Sequence, residues 1–344
     1  MASKHNLTRR ECLRYLGALG LGATASGLFL QPGFASSNSQ LQQASRVLPL
    51  MGTMVRVTIY DPSRDKALQV QEEALQEMQR LIPIFNRFDS QGHLARLNRH
   101  KSLQDVPPEL DLVLSQAIRL HQASSKSFDI TVLPWLEEYE QRVEQTGYPP
   151  DPQRARELRE ALGMDKLQLG PGRVRLLHPE AKLTLDGIAK GYIVDRAAKL
   201  IQEQGISHAL IDAGGDLRVI GGKDQASPWM IGVQDPRGKQ DYAQKLALRD
   251  MAVATSGDYQ RFFSPGFRHH HLLHPGQDSS PGQTASCTVA APSAMLADSL
   301  STALFVLPID KGLELARRFP QAQAHIIQKG GRRFSSQGWS RLLA

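Results

Sequence analysis

Cysteine is nearly missing from this chain of 344 residues, which holds only Cys12 and Cys287. Cys12 falls in an N-terminal segment with the marks of a cleaved signal. The mature chain would then carry one thiol and could form no intramolecular disulfide. Cys287 lies in the strand-like stretch 285–291, where a lone thiol reads as a small buried hydrophobe rather than a nucleophile. Blocks of basic residues interleaved with aromatics are also absent, which removes the usual footprint of nucleic-acid binding. The formal charge is +7, but the first fourteen residues hold four basic residues and one acid, so about +4 remains beyond them. That supports a mild attraction to anionic ligands or a membrane surface, and no more. Beyond the N-terminal segment no run is apolar and long enough to span a bilayer. No Rossmann glycine fingerprint occurs, and Lys190 lacks the glycine pattern of a P-loop. The histidines at 269, 270, 271 and 274 come without an HExxH motif or a cysteine cluster, so their spacing is weak evidence for zinc.

What is present suffices for a folded enzyme. With 41% hydrophobic residues the chain can bury a large core. Residues 1–35 read as a routing label. Arg9-Arg10 precede a moderately apolar, glycine- and alanine-rich run from Tyr15 to Leu30, and Gly33-Phe34-Ala35 offers small residues for cleavage near Ser36. Paired arginines before such a run resemble a twin-arginine export signal, which implies a periplasmic protein. The competing reading is a retained membrane anchor, for which the run is short. Residues 36–46 read as a polar, flexible leader, and 47–344 as the functional domain.

Strand and helix patterns alternate along that domain without a strict strand–helix–strand rhythm. A strand is expected over 48–60, opened by Met51-Gly52-Thr53. A helix follows over 66–81, ended by Pro83, then a polar and aromatic loop and short helix, 85–98. The charged stretch 137–160 reads as a surface insertion with little chemistry. Residues 162–176 read as a hairpin around Gly170-Pro171-Gly172. Strands are expected near 229–234 and 246–250, and at 286–291, 324–328 and 339–343. The pattern predicts the α+β class, with mixed layers of helices and antiparallel sheet.

The organising stretch runs from Leu183 to Gly222. A glycine-bracketed turn, Gly187 to Gly191, leads into a helix that Gly205 stops. Two short strands follow, joined at Gly214-Gly215. Lys190 stands in the first turn between Asp186 and Asp195, and Asp212 and Asp216 bracket the double glycine. Backbone held close by glycines, with a lysine and carboxylates near strand ends, would suit a phosphate-bearing ligand. Ordinary turn chemistry would produce the same residues. A second candidate is the pair Asp298 and Thr302, four apart on an apolar helix and so on one side of it. A carboxylate buried there needs a partner. With a hydroxyl oxygen beside it, it could offer two ligands to a hard cation such as Mg2+. A lysine or a backbone group would satisfy it equally.

Several segments taken together resemble the family of FAD:protein FMN transferases, the ApbE family. They are Met51-Gly52-Thr53, the segment 88–98, Phe128 to Pro134, Asp186 to Asp195, Asp212-Ala213-Gly214-Gly215-Asp216, Ala254 to Tyr259, His271 with Pro275, and Ala297 to Ala303. Their order is the family's order, and they span the chain from Met51 to Ala303.

The resemblance implies a T-fold-related flavin transferase architecture. It also implies an Mg2+-dependent enzyme that cleaves the pyrophosphate of FAD, moves FMN to a threonine or serine hydroxyl of a partner protein, and releases AMP. On that reading Asp298, Thr302 and a backbone carbonyl near Gly187 hold the metal. Lys190 orients the loop or offsets phosphate charge. His271 or Asp298 serves as the base. Met51, Phe88, Asp129, Asp186, Thr255, Ser256 and Asp258 belong to segments that line the FAD pocket. Implied acceptors are flavoprotein subunits of membrane electron-transfer systems. The export signal adds weight to the flavoprotein of nitrous oxide reduction. Two departures stand out. His274 replaces the family's aspartate three places after the histidine, and the arginine-threonine-glycine turn after Pro275 is gone. Thr184 holds the place of an aspartate ahead of GIAKG, while Asp186 directly precedes Gly187. These leave an FAD pyrophosphatase and a non-catalytic FAD-binding protein as alternatives.

Overall fold

The computed structural model describes residues 41–344, and the expected signal lies outside them. The frame is an eight-stranded sheet in the order β1-β2-β6-β7-β10-β11-β12-β13. Its strands are β1 (Gln42–Leu50), β2 (Thr53–Asp61), β6 (His208–Ala213), β7 (Asp216–Ile220), β10 (Ala252–Gly257), β11 (Thr284–Ala291), β12 (Gln323–Gln328) and β13 (Arg333–Ser335). Every neighbouring pair is antiparallel. Between them come the small sheet β3 (Ser102–Gln104), β4 (Leu167–Gly170) and β5 (Arg173–Leu176), and the ribbon β8 (Trp229–Gln234) with β9 (Tyr242–Leu248).

The helices are α1 (Arg64–Phe85), α2 (His93–His100), α3 (Pro108–Ala123), α4 (Leu133–Thr146), α5 (Pro152–Glu160), α6 (Ala189–Glu203), α7 (Ala294–Phe305) and α8 (Ile309–Ala316). The two-residue period of a strand sorts side chains between two cores. Ala252 and Ala254 of β10, with Cys287, Val289 and Ala291 of β11, join the core shared with α1, α6 and α7. Val253 and Ala290 point the other way, onto Trp229, Ile231 and Val233 of the ribbon. Both faces of β11 are therefore covered, and all eight of its residues are buried. Burial pushes the Cys287 thiol up, which keeps it a packing residue.

Four expectations need correction. Residues 42–46 are not a flexible leader, because they belong to β1 and pair with β2. Only Ala44 of that stretch is buried, so an edge strand with polar outward residues looked like a loop. Met51-Gly52 is thus the turn of a hairpin rather than the opening of the first strand, with φ positive at both residues. Pro83 does not end α1, which runs on to Phe85, where the Asn86 amide donates to Ile82 O. Lying in the last turn, the proline disturbs only a terminal hydrogen bond. The run 339–343 is no strand. Trp339–Leu342 coils into a 3-10 turn, with the buried indole stacked on His325 and donating to Gln244 Oε1 at 2.7 Å.

The stretch 137–160 is more than a surface insertion. α4 and α5 enclose a core of their own, in which Trp135, Tyr139, Val143 and Leu158 meet Leu273 and Phe263. Its charged outer face hid this in the sequence.

Candidate active site

The site is built where α6 and α7 cross. Gly191, inside α6, permits the approach: a Cβ there would fall 2.6 Å from the Ala294 carbonyl carbon and 2.7 Å from Met295 Cα. Each helix then completes the other. Asp195 of α6 accepts from the amides of Ala294 (2.8 Å) and Met295 (2.9 Å), capping the start of α7. Asp298 of α7 accepts from the Gly191 amide at 3.1 Å. Asp195, a sequence candidate for a phosphate site, is thereby a structural cap.

Burial and the nearby Asp216 push the Asp298 carboxyl well above the usual range, with Lys190 pulling the other way. Lys190 Nζ pairs with Asp216 Oδ2 at 2.9 Å. Burial works against the ammonium, yet Asp216, Asp298 and Asp212 together outweigh it and raise its pKa. Asp212, also raised by burial, accepts from the Gly215 amide at 3.0 Å in the β6–β7 turn. So the plain partners foreseen for Asp298, a backbone amide and a nearby lysine, are both there. They leave a surplus of carboxylate around one lysine.

Thr302 lies one turn further along α7. Its Oγ1 is 3.2 Å from Ser256 Oγ, which also meets Ser301 Oγ at 2.8 Å. Gly187 is seated against the same hydroxyl, since a Cβ there would come within 2.9 Å of Thr302 Oγ1. The donor set is a carboxylate, a hydroxyl and adjacent backbone, all oxygen, which is the chemistry a hard cation takes. No cluster of three or more His, Cys, Asp or Glu side chains suited to a metal occurs among the described residues. The set fits Mg2+, which tolerates few protein ligands, and does not fit zinc.

His271 reaches the site from the loop before β11. Its Nδ1 lies 2.9 Å from the Arg261 carbonyl, which can only accept, so Nδ1 carries the proton and Nε2 keeps its lone pair. Burial lowers its pKa to about 4, so the ring is neutral near pH 7. The loop is braced by the α4–α5 unit. The side chain of Arg261 pairs with Glu140, the Tyr139 hydroxyl meets His269 Nδ1 at 2.6 Å, and Arg159 pairs with Asp278. The three histidines do not act together: His269 serves the brace, while His270 is fully buried against Phe305.

Asp186 lies in the turn before α6, where its charge bears on both His271 and Asp298. Its amide donates to Thr184 Oγ1 at 3.2 Å, so the threonine in the family's aspartate position shapes the turn. Arg87 pairs with Asp186 at 3.1 Å and lies under the exposed ring of Phe88.

Other sequence candidates sit in the scaffold. Asp129 accepts from the Thr131 amide (2.8 Å) and hydroxyl (2.6 Å). Asp258 is fully buried, with both oxygens bound to Arg237 at 2.8 Å and Lys329 at 3.5 Å. Thr255 bonds Thr288 across the β10–β11 ladder at 2.9 Å. Met51 lies in the β1–β2 turn, beside Thr53, which fills the space left by Gly214. Sequence reasoning missed Arg87, Arg261 and Tyr139. Only the density of polar groups around Phe88 pointed toward the first, and nothing local marked the others.

An antiparallel sheet backed by helices, with the oxygens of Asp298, Thr302 and Ser256 gathered beside Lys190, is an arrangement suited to a hard cation and its ligand. The sequence profile of the ApbE family matches residues 51–327, and the chain belongs to this family. A relative from Haemophilus influenzae called FAD:protein FMN transferase is 30% identical over 308 residues, covering 83% of this chain and 87% of its own. One of the same name from Treponema pallidum is 29% identical over 319 residues, covering 86% and 87%. Among solved structures, the flavin transferase ApbE from Vibrio cholerae superposes with a TM-score of 0.77 at 25% identity, covering 88% of this chain and 100% of that one. The ApbE protein of Thermotoga maritima gives 0.78 at 30% identity, with the same coverage.

Proposed function

We propose that the protein transfers the FMN moiety of FAD to a threonine or serine hydroxyl of a partner protein, with AMP as leaving group. The observation that carries this reading is the gathering of Asp298, Thr302, Gly187, Lys190 and His271 about the α6–α7 crossing in a chain whose relatives are called FAD:protein FMN transferases. Mg2+ would be held by Asp298, Thr302 and backbone beside Gly187, and would supply charge neutralisation at the pyrophosphate. Lys190, fixed by Asp216, offsets part of the carboxylate charge that faces an anionic substrate. The acceptor oxygen attacks the phosphorus on the FMN side. A new P–O bond forms, the bridging P–O bond breaks, and AMP leaves with the electron pair. The hydroxyl proton passes to His271 Nε2, the nitrogen left free by the Arg261 carbonyl.

Export by the twin-arginine-like segment would place this reaction in the periplasm. Among acceptors, that routing favours the flavoprotein of nitrous oxide reduction. The test incubates the mature protein with FAD, Mg2+ and candidate acceptor domains and reads intact mass. One FMN gained by an acceptor, and lost with Asp298→Ala, supports the reading. Free FMN and AMP without an adduct would make it a pyrophosphatase, and FAD bound but unchanged would make it a flavin-binding protein.

A further inference from the structure

We propose that Arg87 is a charge-compensating positioning residue, which neutralises Asp186 and so lets the cleft accept a pyrophosphate-bearing dinucleotide. This rests on the flavin-transfer reading and deepens it. Asp186 directly precedes Gly187, the glycine seated against Thr302. Its charge bears on Asp298 and on His271. With Asp212, Asp216 and Asp298 already gathered around Lys190, another bare carboxylate would repel an incoming phosphate.

Arg87 removes that charge. Its Nε and Nη2 each lie 3.1 Å from Asp186 Oδ2. The Arg87 side chain is 6% exposed and that of Asp186 48%, so the cation sits behind the carboxylate rather than in front of it. The Phe88 ring covers it, with Cζ 3.9 Å from the ring centroid. The supporting turn is fixed by Asn86 Oδ1, which accepts from the Phe88 amide at 2.9 Å, and by Asp89 Oδ1, which accepts from the Gln91 amide at 3.0 Å. Arg87 thus acts through Asp186 and Phe88, without touching the substrate. An arginine that bound phosphate directly would behave differently, because its loss would weaken binding even with Asp186 already neutral.

The experiment measures FAD affinity from quenching of flavin fluorescence, with Mg2+ present, and the melting temperature of each variant. Arg87→Gln is expected to weaken FAD binding by about tenfold, the effect of one uncompensated charge near the phosphates. Asp186→Asn leaves the guanidinium uncompensated and should tighten binding by up to about tenfold, while the double variant, with both members neutral, should return to within about threefold of wild type. Arg87→Lys, which keeps the charge but loses the two-nitrogen grip and the stacking on Phe88, should recover only part of the affinity lost in Arg87→Gln, and guards against a folding defect. A double variant as weak as Arg87→Gln would overturn the proposal. So would an Arg87→Gln variant that binds FAD as tightly as wild type. If the wild-type protein itself leaves flavin fluorescence unchanged, the flavin reading falls and this proposal with it.

Discussion

Gly191 and Gly187 are four residues apart, and alanine at each should have separable consequences. At Gly191 the new methyl group meets backbone of Ala294 and Met295, which cannot move aside as a side-chain tip can. Overpacking of this kind costs up to about 3 kcal/mol. Forcing the helices apart also loosens the Asp195 cap on α7, worth about 1 kcal/mol. Alanine's better helix propensity returns about 1 kcal/mol. The balance, about 3 kcal/mol, lowers the melting temperature of a chain this size by about 4–5 °C. At Gly187 the methyl group meets only the Thr302 side chain, 2.9 Å from Oγ1, and the backbone there is not left-handed. Gly187→Ala should cost about 1 kcal/mol or less of stability. It should nonetheless weaken Mg2+ binding by about tenfold, because the hydroxyl must turn away. Thermal melts with and without Mg2+, together with a Mg2+ titration, check both. A Gly191→Ala protein that melts at or above wild type would refute the crossing described here. A Gly187→Ala protein with unchanged Mg2+ affinity would remove Thr302 from the ligand set.

Arg237→Met should strand the buried Asp258 with only Lys329 nearby, at a cost of about 3 kcal/mol read from urea unfolding, and Asp258→Asn in the same chain should recover part of it. Tyr139→Phe removes a hydroxyl that meets His269 at 2.6 Å and accepts from the Ser280 amide at 3.3 Å. Stability should fall by about 1 kcal/mol, and transfer should slow more than FAD binding weakens, as steady-state kinetics would show. Acid should destabilise the fold through its neutral buried histidines. Burial lowers His270 to about 3 and His271 and His325 to about 4. Unfolded histidines bind protons near pH 6.5, so between about 6.5 and 4 the unfolded chain holds more protons and stability falls as pH drops. His325→Gln should remove one of these proton uptakes, so its melting temperature should fall less, relative to wild type, as pH drops across that range.

The two stretches that meet at the α6–α7 crossing were legible because their signals are local. Asp298 and Thr302 show themselves by helical spacing, and the Gly187–Gly191 turn shows itself by its glycines and lysine. What could not be read is how distant segments share a single group. Asp258 looked like a pocket residue because its charge was visible and its partner Arg237 was not. Asp195 looked like a ligand carboxylate because the α7 amides it caps lie 99 and 100 residues away. The α4–α5 unit was misjudged because its polar outer face dominates a helix whose inner face is one narrow apolar stripe. The edge strand β1 escaped for the same reason, with one buried residue between 42 and 46.

The bond from the Gly191 amide to Asp298 joins residues 107 positions apart. A growing chain therefore passes through a long period in which the lysine turn exists and its carboxylate partner has yet to be synthesised. During that time neither helix can finish the other, and the residues gathered at their crossing are not yet assembled. Competence comes only with the last quarter of the polypeptide, as one late event tied to completion of the whole fold.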